Sequence, residues 1–415
     1  MGFQICALSL IRADPKSRNM IDVQAIQDAL KQFNLDGWLL YDFRGTNPLA
    51  RRVLQFAEDA VGSRRWFYCI PAEGEPKKLV HRIESGALDT LPGKKTVYLK
   101  WQELEAGIEH LLAGIDKVAM EYSANNANPY VSRVDAGTVE LVRRSCDEVV
   151  SSGNLIQLFE AVWDDEQWAM HQEASEHTNA AFKRAWSLIA NRIRAGEEVT
   201  EVSVQQEIMQ HFADNGMTTY HPPIVGIGPH SGDPHFEPDP ANDTVMSEGD
   251  FVLIDLWAKM DRPRGVYSDL TRVGFIGETV PKTYEDVFRI VAAARDAGIA
   301  TVKDAFASGR PLQGWEVDQA TRDVIEEAGY GEAFIHRTGH SIGQETHGNG
   351  ANMDNLEMHD DRLVLPSTCF SIEPGIYLPE SGIRSEVDVF VDENGEVHVT
   401  GGELQTAVIP ILAEY

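Results

Sequence analysis

The chain has 415 residues and a mass of 46.1 kDa, enough for two or three domains and a core that needs no disulfide framework. Its 36 basic and 65 acidic residues leave a net charge of −29, which argues against a nucleic-acid partner and against an anionic membrane surface. The four cysteines, Cys6, Cys69, Cys146 and Cys369, form no CxxC pair, and no apolar run reaches the roughly 18 residues of a membrane span, as expected of reduced thiols in a cytoplasmic protein.

Residues 1–19 read as an extension with a short apolar stretch, Ile5 to Ile11, and no basic segment ahead of it to mark a secretory signal. Residues 20–155 predict a smaller α/β domain. Asp22 is placed to cap a helix with Val23, Ile26, Ala29 and Leu30 on one stripe. Strands are predicted at 37–41, 66–70, 78–81, 96–99 and 117–120, in a mixed sheet. No glycine-rich phosphate loop follows any of them.

Residues 160–415 predict an α+β domain. A long helix starts at Asp164 or Asp165 and ends at Gly196, and a second follows Thr200 and stops at Asn215. Strands follow at 251–257 and 270–276. The order then repeats: a helix opened by a Thr283/Asp286 capping box, another at 316–328, then strands at 368–372 and 383–391. Helices then strands, twice over, predict an internal duplication.

Acid placed inside apolar strand runs is the sharpest feature. Asp255 interrupts Phe251-Val-Leu-Ile-Asp-Leu-Trp257, and Glu373 ends Cys369-Phe-Ser-Ile-Glu373; a buried carboxylate needs a counter-charge. Asp269 lies 14 positions after Asp255, a spacing that sets two aspartates side by side on antiparallel strands. In 383–389 the alternation puts Ile383, Ser385, Val387 and Val389 on one face and Arg384, Glu386 and Asp388 on the other. The simplest reading is a strand with one solvated face, but a short hairpin would bring Glu386 to Glu373. Histidines cluster at 211–235 and 336–359. The second cluster is no zincin helix, because Arg337 stands where that motif needs Glu and Gly339 breaks any helix. His211, His221 and His359 are expected to be structural.

If Asp255, Asp269, His340, Glu373 and Glu386 converge, four negative charges need two divalent ions. A bridging hydroxide then leaves one negative charge, which Arg384 beside Glu386 can offset. Oxygen-rich ligands with one imidazole suit Mn²⁺ (the first expectation), Co²⁺, Zn²⁺ or Fe²⁺.

These residues carry a resemblance. The motifs Leu253-Ile-Asp255, Ser268-Asp-Leu-Thr-Arg272, Thr338-Gly-His-Ser-Ile-Gly343, Ser371-Ile-Glu-Pro-Gly375 and Gly382-Ile-Arg-Ser-Glu386 stand in the order of the pita-bread metallopeptidases. Within that family the chain resembles the aminopeptidase P/prolidase group. The resemblance implies a pita-bread C-terminal domain behind a creatinase-type N-terminal domain. It also implies a two-metal exopeptidase that cuts between an N-terminal residue and proline with a metal-bridging hydroxide. Its substrates would be small peptides with proline at the second position, and the enzyme a homodimer or homotetramer. By the same resemblance Asp255 chelates one ion, Asp269 and Glu386 bridge both, His340 ligates the other, and Glu373 ligates and serves as general base or acid. His235, with His230 as its competitor, and His336 and His347 are the substrate-side histidines, His347 stabilising the tetrahedral intermediate, and Arg384 supports Glu386. Two departures stand out: the length of the Lys259–Gly265 stretch and Gly348 after His347. The alternatives are a creatinase-like or metal-dependent C–N hydrolase on a non-peptide substrate, and a catalytically silent binding module.

Overall fold

The computed structural model describes residues 21–57 and 62–415; the N-terminal extension, with Cys6 and the stretch from Ile5 to Ile11, lies outside them. The described chain forms two compact units, one ending at Glu160 and one running from Ala161 to Tyr415.

The first unit opens with α1 (Val23–Gln32), where the Asp22 side chain accepts the Ala25 N–H and Ile26 and Leu30 are buried. Then come β1 (Gly37–Asp42), α2 (Pro48–Val53), β2 (Trp66–Pro71), β3 (Lys77–His81), β4 (Lys94–Tyr98), α3 (Trp101–Leu112), β5 (Lys117–Met120), α4 (Ala136–Val142), β6 (Glu148–Ser151) and α5 (Gly153–Glu160). The sheet order is β4-β3-β2-β1-β5-β6. β2 is antiparallel to both neighbours and the remaining pairs are parallel, so the sheet is mixed. β6 escapes sequence reading because it is a four-residue edge strand with one buried side chain. The stretch between the two expected domains is helical, since α5 carries the first unit to Glu160.

The second unit begins with α6 (Asp165–Ala195), capped by Asp164 and closed by left-handed Gly196, and α7 (Glu201–Asp214), capped by Thr200. The strands β7 (Met217–Thr218), β8 (Ile224–Ile227), β9 (Phe251–Met260) and β10 (Tyr267–Phe275) follow. The pattern then recurs. α8 (Lys282–Ser308) ends on left-handed Gly309, and α9 (Gly314–Glu327) starts from Gln313. Next come β11 (Ser341–Ile342), β12 (Thr368–Ile372), β13 (Gly375–Leu378), β14 (Ser381–Arg384), β15 (Val387–Val391), β16 (Val397–Thr400), β17 (Ile409–Pro410) and α10 (Ile411–Glu414). The two halves correspond in detail. In each, a short helix of 14 residues starts five positions after the capping glycine. In each, its N-cap residue also makes an isolated antiparallel bridge, Thr200 to Val245 and Gln313 to Leu363.

Three expectations change. The first turn of α8 has Pro281 at its N-cap and no side-chain cap; Thr283 already lies inside the helix, so the Thr283/Asp286 capping box does not form. The run 383–391 is not one strand: β14 pairs with β13 and β15 pairs with β12, and the chain changes sheets at Ser385 and Glu386. Lys259 and Met260 are not loop but the end of β9. The turn beyond them is pinned to the start of α6 by Arg262 on Glu173 and Arg264 on Asp164.

The core of the α6 side gathers Phe182, Trp186, Ile189, Ile208 and Phe212 against Val252, Ile254 and Leu256 of β9. Trp186 is fully buried. Trp186→Ala is expected to destabilise this unit by about 3–5 kcal/mol, read as a lower denaturant midpoint by tryptophan-independent circular dichroism.

Candidate metal centre

β9 and β10 pair antiparallel with Asp255 opposite Thr271 and Asp269 opposite Trp257. The two aspartates therefore share a face but sit diagonally rather than side by side, because the register centres the turn on Pro263 and shifts the pairing by two. On the second half, Ile372 pairs with Val387, so Glu373 leaves β12 where Glu386 enters β15. His340 precedes β11, whose Ser341 pairs with Phe370. The His340 N–H donates to Ser371 Oγ at 3.0 Å. Gly339 makes this approach possible: a Cβ there would lie 1.9 Å from the Ser371 carbonyl oxygen.

The ligand atoms of Asp269, His340 and Glu386 all lie within 4.8 Å of one another. His340 Nε2 is 3.5 Å from Asp269 Oδ2 and 3.3 Å from Glu373 Oε1, while its Nδ1 faces the Ser341 carbonyl at 3.3 Å. That leaves Nε2 turned to the carboxylates. Asp255 pairs through Oδ2 with Arg384, and its buried Oδ1 has no hydrogen-bond partner among the described residues. Glu386 accepts from Thr271 Oγ1 at 2.7 Å, and the Asp269 N–H donates to Asp388 Oδ2 at 3.0 Å.

Burial dominates the electrostatics. It raises Asp269 and Glu386 well above the ordinary carboxylate range, and the neighbouring carboxylates add to the effect. Burial also raises Asp255 against the opposing pull of Arg384, and pushes Glu373 up to about 7. Burial, then His347 and Arg337, hold His340 well below the usual histidine range, so its imidazole is neutral. Repelling carboxylates, a neutral imidazole and an orphaned carboxylate oxygen are a donor set that fits divalent cations.

Arg384 acts on Glu386 by charge and through a hydroxyl relay. It is 3% exposed and contacts Asp255, not Glu386. Its Nε donates to Thr271 Oγ1 at 3.0 Å, so its hydrogen-bond link to Glu386 runs through that threonine while its charge acts on Glu386 directly, and its Nη1 donates to the Tyr377 hydroxyl at 3.0 Å. The face carrying Arg384, Glu386 and Asp388 is not solvated: all three are buried. The alternation in 383–389 continues across a change of sheet, so it marks two buried surfaces instead of one wet one.

The histidines separate by surroundings. His347 keeps an exposed edge, but its ring stands perpendicular to that of His340 at 4.3 Å, and desolvation with Arg337 and His235 nearby holds it at about 4. His336 puts Nε2 against the Tyr377 hydroxyl at 2.7 Å and is held at about 3, by burial first and by Arg384 next. His235 is exposed, and its charge acts on Asp255 and His347. Its competitor His230 pairs with Glu201 at 2.9 Å and stacks on Phe236. Of the histidines expected to be structural, His221 stacks on Trp257 beside Asp269. Tyr377, which joins His336 to Arg384, was missed by sequence reading, as was the hydroxyl of Thr271. Their only sequence signal is closeness to Glu373 and Asp269.

Residues 169–393 match metallopeptidase family M24, and the chain belongs to this pita-bread metallopeptidase family, whose members use divalent metals. It is 33% identical over 241 residues to a probable dipeptidase PepE of Mycobacterium tuberculosis, covering 58% of this chain and 59% of that protein. It is 29% identical over 241 residues, 58% of this chain and 60% of the relative, to an Xaa-Pro dipeptidase of Lactobacillus delbrueckii subsp. lactis. The chain thus spans about three fifths of the length of the curated relatives it matches. Its fold is similar to that of dipeptidase PepE from Mycobacterium ulcerans: the TM-score is 0.61 at 22% identity, over 93% of this chain and 96% of the other. No described helix is long and apolar enough to cross a membrane.

A cation held here would compete with protons on Glu373, whose carboxyl burial pushes up to about 7. Because Asp269 and Glu386 are also raised, Mn²⁺ affinity is expected to rise with pH from 5 through 7, with proton release on binding throughout that range. Titration calorimetry in two buffers of different ionisation enthalpy measures both.

Proposed function

We propose that this protein is a two-metal exopeptidase that removes an N-terminal residue from proline in small peptides. The observation that carries the metal reading is the convergence of Asp269, His340 and Glu386 within 4.8 Å beside the unpartnered Asp255 oxygen. The proline preference and the peptide class are supported by the relative named an Xaa-Pro dipeptidase. Membership of family M24 supports hydrolysis of a peptide bond.

In this reading Asp255, Asp269, His340, Glu373 and Glu386 hold two divalent ions. When bound, these supply the Lewis acidity that polarises a peptide carbonyl and acidifies water. Glu373 takes a proton from the attacking water and returns it to the leaving proline nitrogen; its raised pKa suits both steps near neutral pH. Arg384, fixed by Asp255, Thr271 and Tyr377, keeps the carboxylates in place and offsets their charge. Neutral His347, with His235 near it, faces the developing oxyanion as a hydrogen-bond donor. His336 acts through Tyr377, whose hydroxyl it orients.

Chelated protein refilled with Mn²⁺, Co²⁺ or Zn²⁺ is expected to cleave Xaa-Pro dipeptides, with none cleaved before refilling. Cleavage of Xaa-Pro-Yaa tripeptides as well makes it an aminopeptidase P type enzyme, and cleavage of dipeptides alone a prolidase. Glu373→Gln is expected to lower kcat by about 10²- to 10⁴-fold in steady-state assays. Metal-loaded protein that leaves every Xaa-Pro peptide intact overturns the proposal.

A further inference from the structure

The face of β9 that carries Asp255 continues to Trp257 and Lys259, because side chains two apart on a strand point the same way. The register sets Trp257 across from Asp269 and Lys259 across from Tyr267. Tyr220 and His221 border this face. The Tyr220 ring lies 6.0 Å from Trp257 and 6.2 Å from Tyr267, and His221 stacks on Trp257 at 6.3 Å. Tyr220 is 65% exposed and Trp257 only 8%, so an open aromatic wall stands beside a buried floor.

Two donors on this patch have no anionic acceptor. Lys259 Nζ sits 4.9 Å from the centre of the Tyr267 ring and donates to the Gln344 carbonyl at 2.5 Å. Glu345 and Asp261 are the acids whose charge reaches it, and among the described residues neither forms an ion pair with it. The Trp257 indole N–H is buried and has no acceptor among the described residues. In a chain of net charge −29, a half-buried cation next to an unused N–H and one step from a carboxylate cluster is a local reversal of sign.

We propose that Lys259 and the Trp257 indole N–H form an anion-selecting subsite for the N-terminal residue of the substrate, favouring peptides that begin with Asp or Glu. The inference rests on the exopeptidase reading above. With the scissile carbonyl at the carboxylate cluster, the N-terminal residue of the peptide lies beside Trp257, which stands across from Asp269. The side chain of that residue then runs along the strand face, where two residues span about 7 Å, toward Lys259. The chemistry recognised is a carboxylate, and a peptide's own C-terminal carboxylate is the other source of one.

The test compares kcat/KM for Glu-Pro, Gln-Pro and Lys-Pro, and for Glu-Pro and Gln-Pro amides, using metal-loaded full-length protein. The expected order is Glu-Pro over Gln-Pro by about tenfold, with Lys-Pro slowest and the Glu/Gln preference kept in the amides. Lys259→Met is expected to bring Glu-Pro down to the level of Gln-Pro, and Lys259→Glu to favour Lys-Pro. Equal rates for Glu-Pro and Gln-Pro in the unmodified protein overturn the subsite, whether or not the variants fold. A preference that amidation abolishes overturns the side-chain assignment in favour of the C-terminal carboxylate. If no Xaa-Pro peptide is cleaved, the exopeptidase reading falls. Calorimetric titration with Glu-Pro and Gln-Pro then decides the subsite separately: tighter binding of Glu-Pro that Lys259→Met abolishes supports it, and equal binding overturns it.

Discussion

The second unit is organised around a conflict: Asp255, Asp269, Glu386 and Asp388 are buried and Glu373 half-buried at one place, where like charges repel and water is scarce. A globular fold would expel such a cluster or protonate it. Here the strands leave no way out. Asp255 and Asp269 are fixed by the β9–β10 register, Glu386 by its position between two sheets, and Glu373 by the end of β12. Among the described residues Arg384 is the one guanidinium paired with a carboxylate of this group, that of Asp255, and its charge also acts on Asp269, Glu373 and Glu386. The remaining acids and the neutral imidazole of His340 are the donors that the proposed cations would use.

The scaffold around the conflict is made of hydrogen bonds between the two halves. Thr271 of the first half donates to Glu386 of the second, and the Asp269 amide donates to Asp388. Behind Asp388, His171 on α6 bonds the Tyr267 carbonyl at 2.8 Å and Thr400 Oγ1 at 2.7 Å. Burial holds His171 at about 4, so it serves as a neutral strut. His171 and Thr271 thus back the acids without charge, while Arg272, which donates to the Glu386 carbonyl at 2.8 Å, brings a buried positive charge close to Glu386 and Asp388.

Much of this was legible in the sequence. Caps at Asp22, Asp164 and Thr200 were readable because a side-chain oxygen three residues before a free N–H is a local signal. Acid inside an apolar run is equally local, which is why Asp255 and Glu373 stood out. What stayed hidden depends on register and on distant partners. The two-residue shift between Asp255 and Asp269 comes from where the turn closes. The break at Ser385 and Glu386 leaves the alternation of 383–389 intact, so periodicity alone cannot reveal it. Arg384 sits two residues from Glu386 in sequence yet faces Asp255 because β14 turns that way. Pro281 rather than Thr283 heads α8, since a box written in the sequence forms only if the chain enters the helix at that point. Tyr377 had no pattern of its own and gained meaning only from the groups at either end of its hydroxyl.

The recurrence of helix, capping glycine, helix and strands in the two halves bears on assembly. Asp255 and Asp269 belong to the first copy and His340, Glu373 and Glu386 to the second, so the ligand set proposed above draws on both copies. Asp269 and Glu386 stand 117 positions apart. Ion affinity at the proposed centre would therefore not be a property of any local segment but a share of the folding free energy that joins the halves, and a bound cation would report that the two have closed on each other.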